Sequence, residues 1–302
     1  MSTAFVLSGG GSLGAVQVGM LQALGERGIA PDLLVGTSAG AVNAAWVAGH
    51  GMSAGSLAEL ARLWIGLRRQ DVFPVNAGHA LLAMLGRRSA LSSNGNLHDV
   101  VSAHVGIGDL VEATVPLHLV ATDLLSGEEV LLSAGDLVPA VLASAAIPGV
   151  FPPVTIAGRP LVDGGVADHT AVSQAVGLGA TEIYVLPAGY PCALRRAPAS
   201  ALGVAVQALT LLIEQRLIVE VARYAGAATI KVLPPLCPLR VSAADFGHGA
   251  DLVDRGRRAT AAWLDEGGVD LPHQERFLSL HQHQHRPSGE ADRRLGSGPV
   301  RR

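Results

Sequence analysis

The architecture follows from residues 4–48, AFVLSGGGSLGAVQVGMLQALGERGIAPDLLVGTSAGAVNAAWVA. Ala4–Leu7 is a short apolar run suited to a buried strand, and Gly9-Gly10-Gly11 breaks it into a loop. Val16, Met20 and Leu24 then recur at helical spacing up to Gly28, a residue that fits a helix C-terminal cap. Leu33–Val35 makes a second buried strand, Gly36–Gly40 a tight turn, and Ala41–Ala48 a second helix built of small residues. A chain that opens βαβα calls for a mostly parallel sheet with helices on its faces, an α/β fold.

Outward from this unit, Leu57, Leu60, Ala61, Trp64 and Leu67 keep helical spacing, and helix-compatible sequence runs on to about Val105 with a polar break at Ser92–Asn96. This predicts a helical insertion, about 54–105, over one edge of the sheet. Leu117–Thr122 and Glu128–Leu132 flank Ser126-Gly127 as a β-hairpin. Asp136–Ala146 reads as helix, short strands flank Gly158, and buried strands are expected at Thr181–Leu186 and Thr229–Leu233 with an apolar helix, Leu202 to about Tyr224, between them. A last helix runs from about Leu252 to Leu264. Residues 1–271 are therefore expected to form one domain, and 272–302, rich in His, Gln, Arg, Ser and Gly, a disordered tail.

Composition narrows the function. A chain of 302 residues with 49% hydrophobic and 16% charged side chains can bury a large core, which excludes disorder throughout. The net charge is −3 and the basic residues are spread along the chain, so a nucleic-acid partner is not expected. Cys192 and Cys237 supply neither a disulfide framework nor metal-ligand spacing, and a reducing cytoplasm is the natural compartment. His281, His283 and His285 alternate in the tail without fixed geometry, so no metal and no cofactor are expected. Residues 1–25 lack the basic region of a signal peptide, and the uncharged stretches 33–58 and 197–213 are read as buried or membrane-contacting helix rather than spans.

Three features carry chemistry. Gly36-Thr37-Ser38-Ala39-Gly40 is a G-x-S-x-G between a strand and a helix, where flanking glycines permit a sharp turn and the hydroxyl of Ser38 stands at a helix N-terminus. The plainer role for Ser38 is a helix cap. Gly9-Gly10-Gly11-Ser12-Leu13-Gly14 fits a dinucleotide fingerprint, but Asp32, the acid at nearly the right separation, stands before its strand instead of after it. The other use of such a loop is to present backbone N–H groups to an oxyanion. Asp163-Gly164-Gly165 places a carboxylate on a glycine turn after a strand, which alone is ordinary turn chemistry. Asp123, also after a strand, reads as a turn residue. His169 and His248 are the histidines to weigh for a Ser-His-Asp triad, both read as surface or capping residues.

In their order and context these motifs resemble the patatin-like phospholipase family of serine acyl hydrolases over roughly residues 4–235, with Ala143-Ser144-Ala145-Ala146-Ile147-Pro148-Gly149-Val150-Phe151-Pro152-Pro153 adding to the likeness. The resemblance implies a three-layer α/β/α sandwich and cleavage of carboxylic esters in phospholipids, lysophospholipids or other ester lipids. It implies Ser38 as nucleophile, Asp163 as base without histidine, and the backbone of Gly9, Gly10, Gly11 and Gly14 as oxyanion hole. Gly36 and Gly40 would shape the nucleophile elbow, and Gly164 and Gly165 the aspartate turn. Transient contact with a membrane or micelle surface, peripheral at the inner membrane, follows from such substrates. The family usually carries Arg or Lys where Leu13 stands, and Asn and Pro where His169 and Ala171 stand. The other classes weighed are a catalytically silent lipid-binding or regulatory relative and a dinucleotide-dependent oxidoreductase.

Overall fold

A computed structural model describes residues 2–74, 78, 87–168, 170–188, 219–237, 239 and 241–271. The apolar stretch 197–213, Cys192, His169 and the tail from residue 272 with its histidines lie outside the described residues. The opening unit forms as its pattern predicts: β1 (Thr3–Leu7), α1 (Gly14–Gly25), β2 (Leu33–Thr37) and α2 (Ala39–His50). Next come α3 (Ala54–Gly66), the one-turn α4 (Arg69–Val72), α5 (Gly95–His104), the hairpin β3 (Leu117–Asp123) and β4 (Glu129–Leu132), and α6 (Leu137–Ser144). The chain continues through β5 (Val154–Ile156), β6 (Arg159–Asp163), α7 (Val172–Gly177), β7 (Glu182–Leu186), β8 (Thr229–Val232) and α8 (Gly249–Asp265).

The strands form one mixed sheet in the order β5-β6-β3-β2-β1-β7-β8, with β4 also paired to β3. From β3 to β8 the pairing is parallel, while β4, β5 and β6 are antiparallel additions. Alternation along β1 divides the core: Phe5 and Leu7 pack with α1, α2, α3, α6 and α8, whereas Ala4 and Val6 pack with α7 and Val221 on the opposite face. Helices thus cover both faces, which is what buries a parallel sheet built of near-continuous apolar strands. The segment expected over a sheet edge differs in placement. α3 packs on α1 and α8, within the helical layer of one face, because its buried stripe of Leu57, Leu60, Ala61 and Trp64 matches those helices.

The registers on β3 explain how distant residues meet. β2 runs parallel to β3 and ends with Thr37 opposite Val120, while β6 runs antiparallel and ends with Asp163 opposite Ala121. β4 pairs residues 119–122 of β3 and overlaps both, so it occupies the other edge. β2 and β6 therefore approach head to head along one edge of β3 and terminate at successive rungs. The turns that follow them, at Ser38 and at Gly164, begin side by side.

Candidate active site

Ser38 occupies the junction between β2 and α2 at φ 55°, ψ −119°, a conformation that costs a non-glycine residue on the order of 1–3 kcal/mol. Its side chain makes no cap bond to the helix, so the capping role is set aside. The hydroxyl instead donates to Asp163 Oδ2 at 2.6 Å. Asp163 Oδ1 accepts the N–H of Gly165 at 2.8 Å, so the carboxylate serves its turn with one oxygen and Ser38 with the other. Burial of this carboxyl pushes its pKa from 3.8 to about 6, against the hydrogen bonds from Ser38 and Gly165, which favour the ionised form.

A hydroxyl not singled out from the sequence supports the strained turn. The N–H of Ser38 donates to Ser144 Oγ at 3.0 Å, and the Ser144 hydroxyl donates in turn to the carbonyl of Val120 at 2.6 Å. This binds the turn to the very rung of β3 at which β2 ends. Ser144→Ala leaves a buried N–H unpaired, and the expected outcome is a loss of about 1–3 kcal/mol in urea denaturation, with kcat falling more than KM rises. An unchanged denaturation midpoint would remove Ser144 from this role.

The glycine loop lies beside this pair. Gly11 has φ +56°, and a Cβ there would stand 2.4 Å from the Ala243 carbonyl oxygen, while one at Gly10 would stand 2.5 Å from Ala188 Cβ. No side chain larger than hydrogen fits between the loop and these neighbours. Among the described residues the N–H groups of Gly9, Gly10 and Gly11 meet no protein acceptor, whereas Ser12 donates to Ala243 O and Leu13 to Gly10 O. The N–H of Gly14 is directed to the carbonyls of Gly11 and Ser12, so Gly14 serves the start of α1 and drops out of the donor set. The loop is pinned by polar groups buried in otherwise apolar helices. Gln17 Nε2 donates to Ser8 O and Leu186 O, Asn43 Nδ2 donates to Gly14 O and Gln17 Oε1, and Trp64 Nε1 donates to Asn43 Oδ1.

A narrow apolar pocket of about 60 Å³ opens at Ser38 and Gly11 and runs between Val42, Leu63, Trp64, Phe73, Leu97 and Phe151. Phe73 stacks on Phe151 at 5.4 Å and meets Phe246 edge-on at 6.0 Å, giving an aromatic wall. A roomier, open depression at Thr181, Val221 and Leu271 lies by the N-terminal ends of β7 and β8, the far end of the strands from Ser38.

The remaining candidates fall elsewhere. His248 is exposed, with Nε2 3.4 Å from Asp245 Oδ2, and makes no contact with Ser38. Asp123 accepts from Leu125 N and Ser126 N in the β3–β4 turn, and its hydrogen bond with Arg159 at 2.6 Å holds its carboxyl below the usual range. Asp32 accepts the N–H of Thr3 at the N-terminal end of the sheet, the wrong end of β2 for holding a dinucleotide ribose. Among the described residues no cluster of His, Cys, Asp and Glu could hold a metal ion, and no helix is long and apolar enough to cross a membrane.

A protein described as an NTE family protein of Mycobacterium tuberculosis is 33% identical over 177 residues, covering 59% of this chain and 46% of the relative. The lysophospholipase nte1 of Aspergillus terreus is 28% identical over 200 residues, 62% of this chain and 12% of that protein. This chain thus spans about half the length, or less, of the curated relatives it matches. Among solved structures, VipD of Legionella pneumophila aligns with a TM-score of 0.44 at 17% identity, covering 88% of this chain and 67% of that one. The sequence profile described as "Patatin-like phospholipase" matches residues 5–176, more than half of the chain, and on that ground the chain belongs to the patatin-like phospholipase family.

Proposed function

We propose that this chain is a lipid acyl hydrolase in which Ser38 and Asp163 act as a catalytic dyad on carboxylic esters of the phospholipid or lysophospholipid type. The observation that carries the reading is the 2.6 Å hydrogen bond from a strained, buried serine hydroxyl to a carboxylate, at the mouth of an apolar pocket. Asp163 accepts the Ser38 proton as Oγ bonds to the ester carbonyl carbon, and the carbonyl oxygen gains the negative charge. Gly9, Gly10 and Gly11 supply backbone N–H groups for that oxyanion. Collapse expels the alcohol, which takes the proton from Asp163. Water then attacks the acyl-enzyme with Asp163 as base, releasing the fatty acid and restoring the Ser38 hydroxyl.

A carboxylate with a pKa of about 6 is a weak base for an alcohol, so much of the acceleration falls to the glycine loop, where losing one donor typically costs about a hundred- to a thousandfold. Leu13 packs against the core and brings no charge to the loop, but the donors are main-chain groups that its replacement leaves in place. Leu124 and Leu125, exposed in the turn after Asp123, and Val166, exposed in the turn after Asp163, suit transient contact with a membrane or micelle surface. The acyl-hydrolase unit is placed in residues 1–271.

A fluorophosphonate probe tests the proposal. The expected result is a covalent adduct that peptide mass spectrometry assigns to Ser38, together with fatty-acid release from a lysophospholipid. A folded protein that neither takes the label nor releases fatty acid would instead support the silent, lipid-binding relative.

A further inference from the structure

The Ser38 pocket does not end at its apolar walls. Leu67 and Phe246 line it and also line a second, open depression bordered by Arg68, Arg69, Ser242 and Asp245. Segment 242–244 ties that depression to the glycine loop. Ser12 N–H donates to Ala243 O at 2.8 Å, Ser12 Oγ donates to Ser242 O at 3.0 Å, and Gly11 is held to hydrogen by the same Ala243 carbonyl. Loop, apolar pocket and depression therefore adjoin one another, with Leu67 and Phe246 common to the pocket and the depression and Ala243 against the loop.

The local fold leaves two guanidinium groups on this surface. α3 ends at Gly66, Leu67 turns the chain into an extended conformation, and α4 starts with the N–H of Arg68 donating to Asp71 Oδ2 at 2.8 Å. The backbone is fixed while the exposed side chains of Arg68 and Arg69 border the depression. Arg27, Arg62, Arg159 and Arg257 each pair with a carboxylate, whereas among the described residues Arg68 and Arg69 pair with none. The acid across the depression is engaged: Asp245 Oδ1 accepts the N–H of Gly247 at 2.9 Å, and Oδ2 faces His248 Nε2 at 3.4 Å.

An ester has two arms. If the acyl arm enters the apolar pocket, the alcohol arm leaves toward the mouth, where it meets two adjacent forked donors suited to phosphate oxygens. We propose that Arg68 and Arg69 form a head-group subsite that selects esters carrying an anionic phosphate on the alcohol side. The assignment rests on the acyl-hydrolase reading of Ser38 and extends it to the substrate class.

The full chain is assayed on two monomeric substrates with the same hexanoyl chain, a lysophosphatidylglycerol and a monoacylglycerol, so that recruitment to a lipid surface plays no part. The Arg68→Ala/Arg69→Ala double variant is expected to lower the kcat/KM ratio of anionic to neutral ester about tenfold, through KM, and Arg62→Ala to leave that ratio at its wild-type value. An unchanged ratio in the double variant overturns the proposal. So does inorganic phosphate binding the wild type more tightly than the lysophosphatidylglycerol, which would assign the arginines to free phosphate. Should the wild type cleave neither ester, the hydrolase reading fails, and calorimetric binding of the same lysophosphatidylglycerol to Ser38→Ala protein decides the subsite separately. Weaker binding with both arginines removed upholds it, and equal binding overturns it.

Discussion

Asp163→Asn is expected to lower kcat by about 10³- to 10⁴-fold and, at neutral pH, to make the folded protein more stable. The two effects share one cause. Asparagine keeps the shape of aspartate, can still accept the Gly165 N–H and can still meet Ser38 Oγ, so the turn is preserved while the base is lost. In the native protein the carboxyl has been carried from a pKa of 3.8 to about 6 by burial, which corresponds to about 3 kcal/mol of disfavoured ionisation. A raised folded-state pKa means that the native state holds its proton to higher pH than the unfolded chain. Stability from this group is therefore complete below about pH 4, declines as pH rises from about 4 to about 6, and stays lower above that. Asparagine has no such dependence. Urea denaturation should show Asp163→Asn ahead of wild type by about 3 kcal/mol at pH 8 and level with it near pH 4. A gain of equal size at both pH values would attribute it to packing and not to the buried charge. The same ionisation sets the activity of the native protein, whose kcat/KM should rise as one proton is lost with a midpoint of about 6 and then level off. A stability gain bought with lost activity is the usual trade where a functional group is held in an unfavourable environment.

Which parts of this arrangement were legible in the sequence follows from whether they are local. Apolar runs, helical spacing and glycine punctuation locate β1, α1, β2 and α2 because each depends on a few neighbouring residues, and the hairpin around Ser126-Gly127 likewise forms where the turn chemistry places it. The pairing of Ser38 with Asp163 is different. The two are 125 residues apart, and their contact depends on β6 running against β2 along one edge of β3, a direction that no periodicity encodes. Only the order of motifs, through the family resemblance, pointed to it. Helical spacing in 54–66 predicts a helix but not its partner, and the segment expected at a sheet edge packs instead on α1 and α8. Ser144 closes an apolar helix and, read locally, is indistinguishable from a small filler residue. Gln17 and Asn43 did carry a signal, as amides set among the small apolar residues that make up most of their helices. A buried amide needs its hydrogen bonds met, and these two meet theirs by clamping the loop that adjoins Ser38.

Gly40→Ala should be the most damaging single-methyl change in the elbow, costing about 3 kcal/mol or more and reducing kcat/KM by at least about a hundredfold. A Cβ at position 40 would lie 2.2 Å from the Leu7 carbonyl oxygen, 2.6 Å from its carbon and 2.7 Å from Ser8 O. All three are backbone atoms at the end of β1, a strand hydrogen-bonded on both sides by β2 and β7, so the sheet cannot recede. α2 must move instead, and Ser38 is the residue that joins α2 to β2. Its displacement opens the 2.6 Å contact with Asp163 and strains the bond to Ser144 at the same time. Gly51→Ala at the other end of α2 provides the contrast, because that glycine has φ +70° and ψ −171° with open space around it and should lose about 1–3 kcal/mol from backbone strain alone, with activity retained. Denaturant midpoints and kcat/KM for the two variants separate close packing from conformational preference. If Gly40→Ala were as mild as Gly51→Ala, the first turn of α2 could yield without disturbing the pair, and the glycine at position 40 would owe its place to something other than the approach of β1.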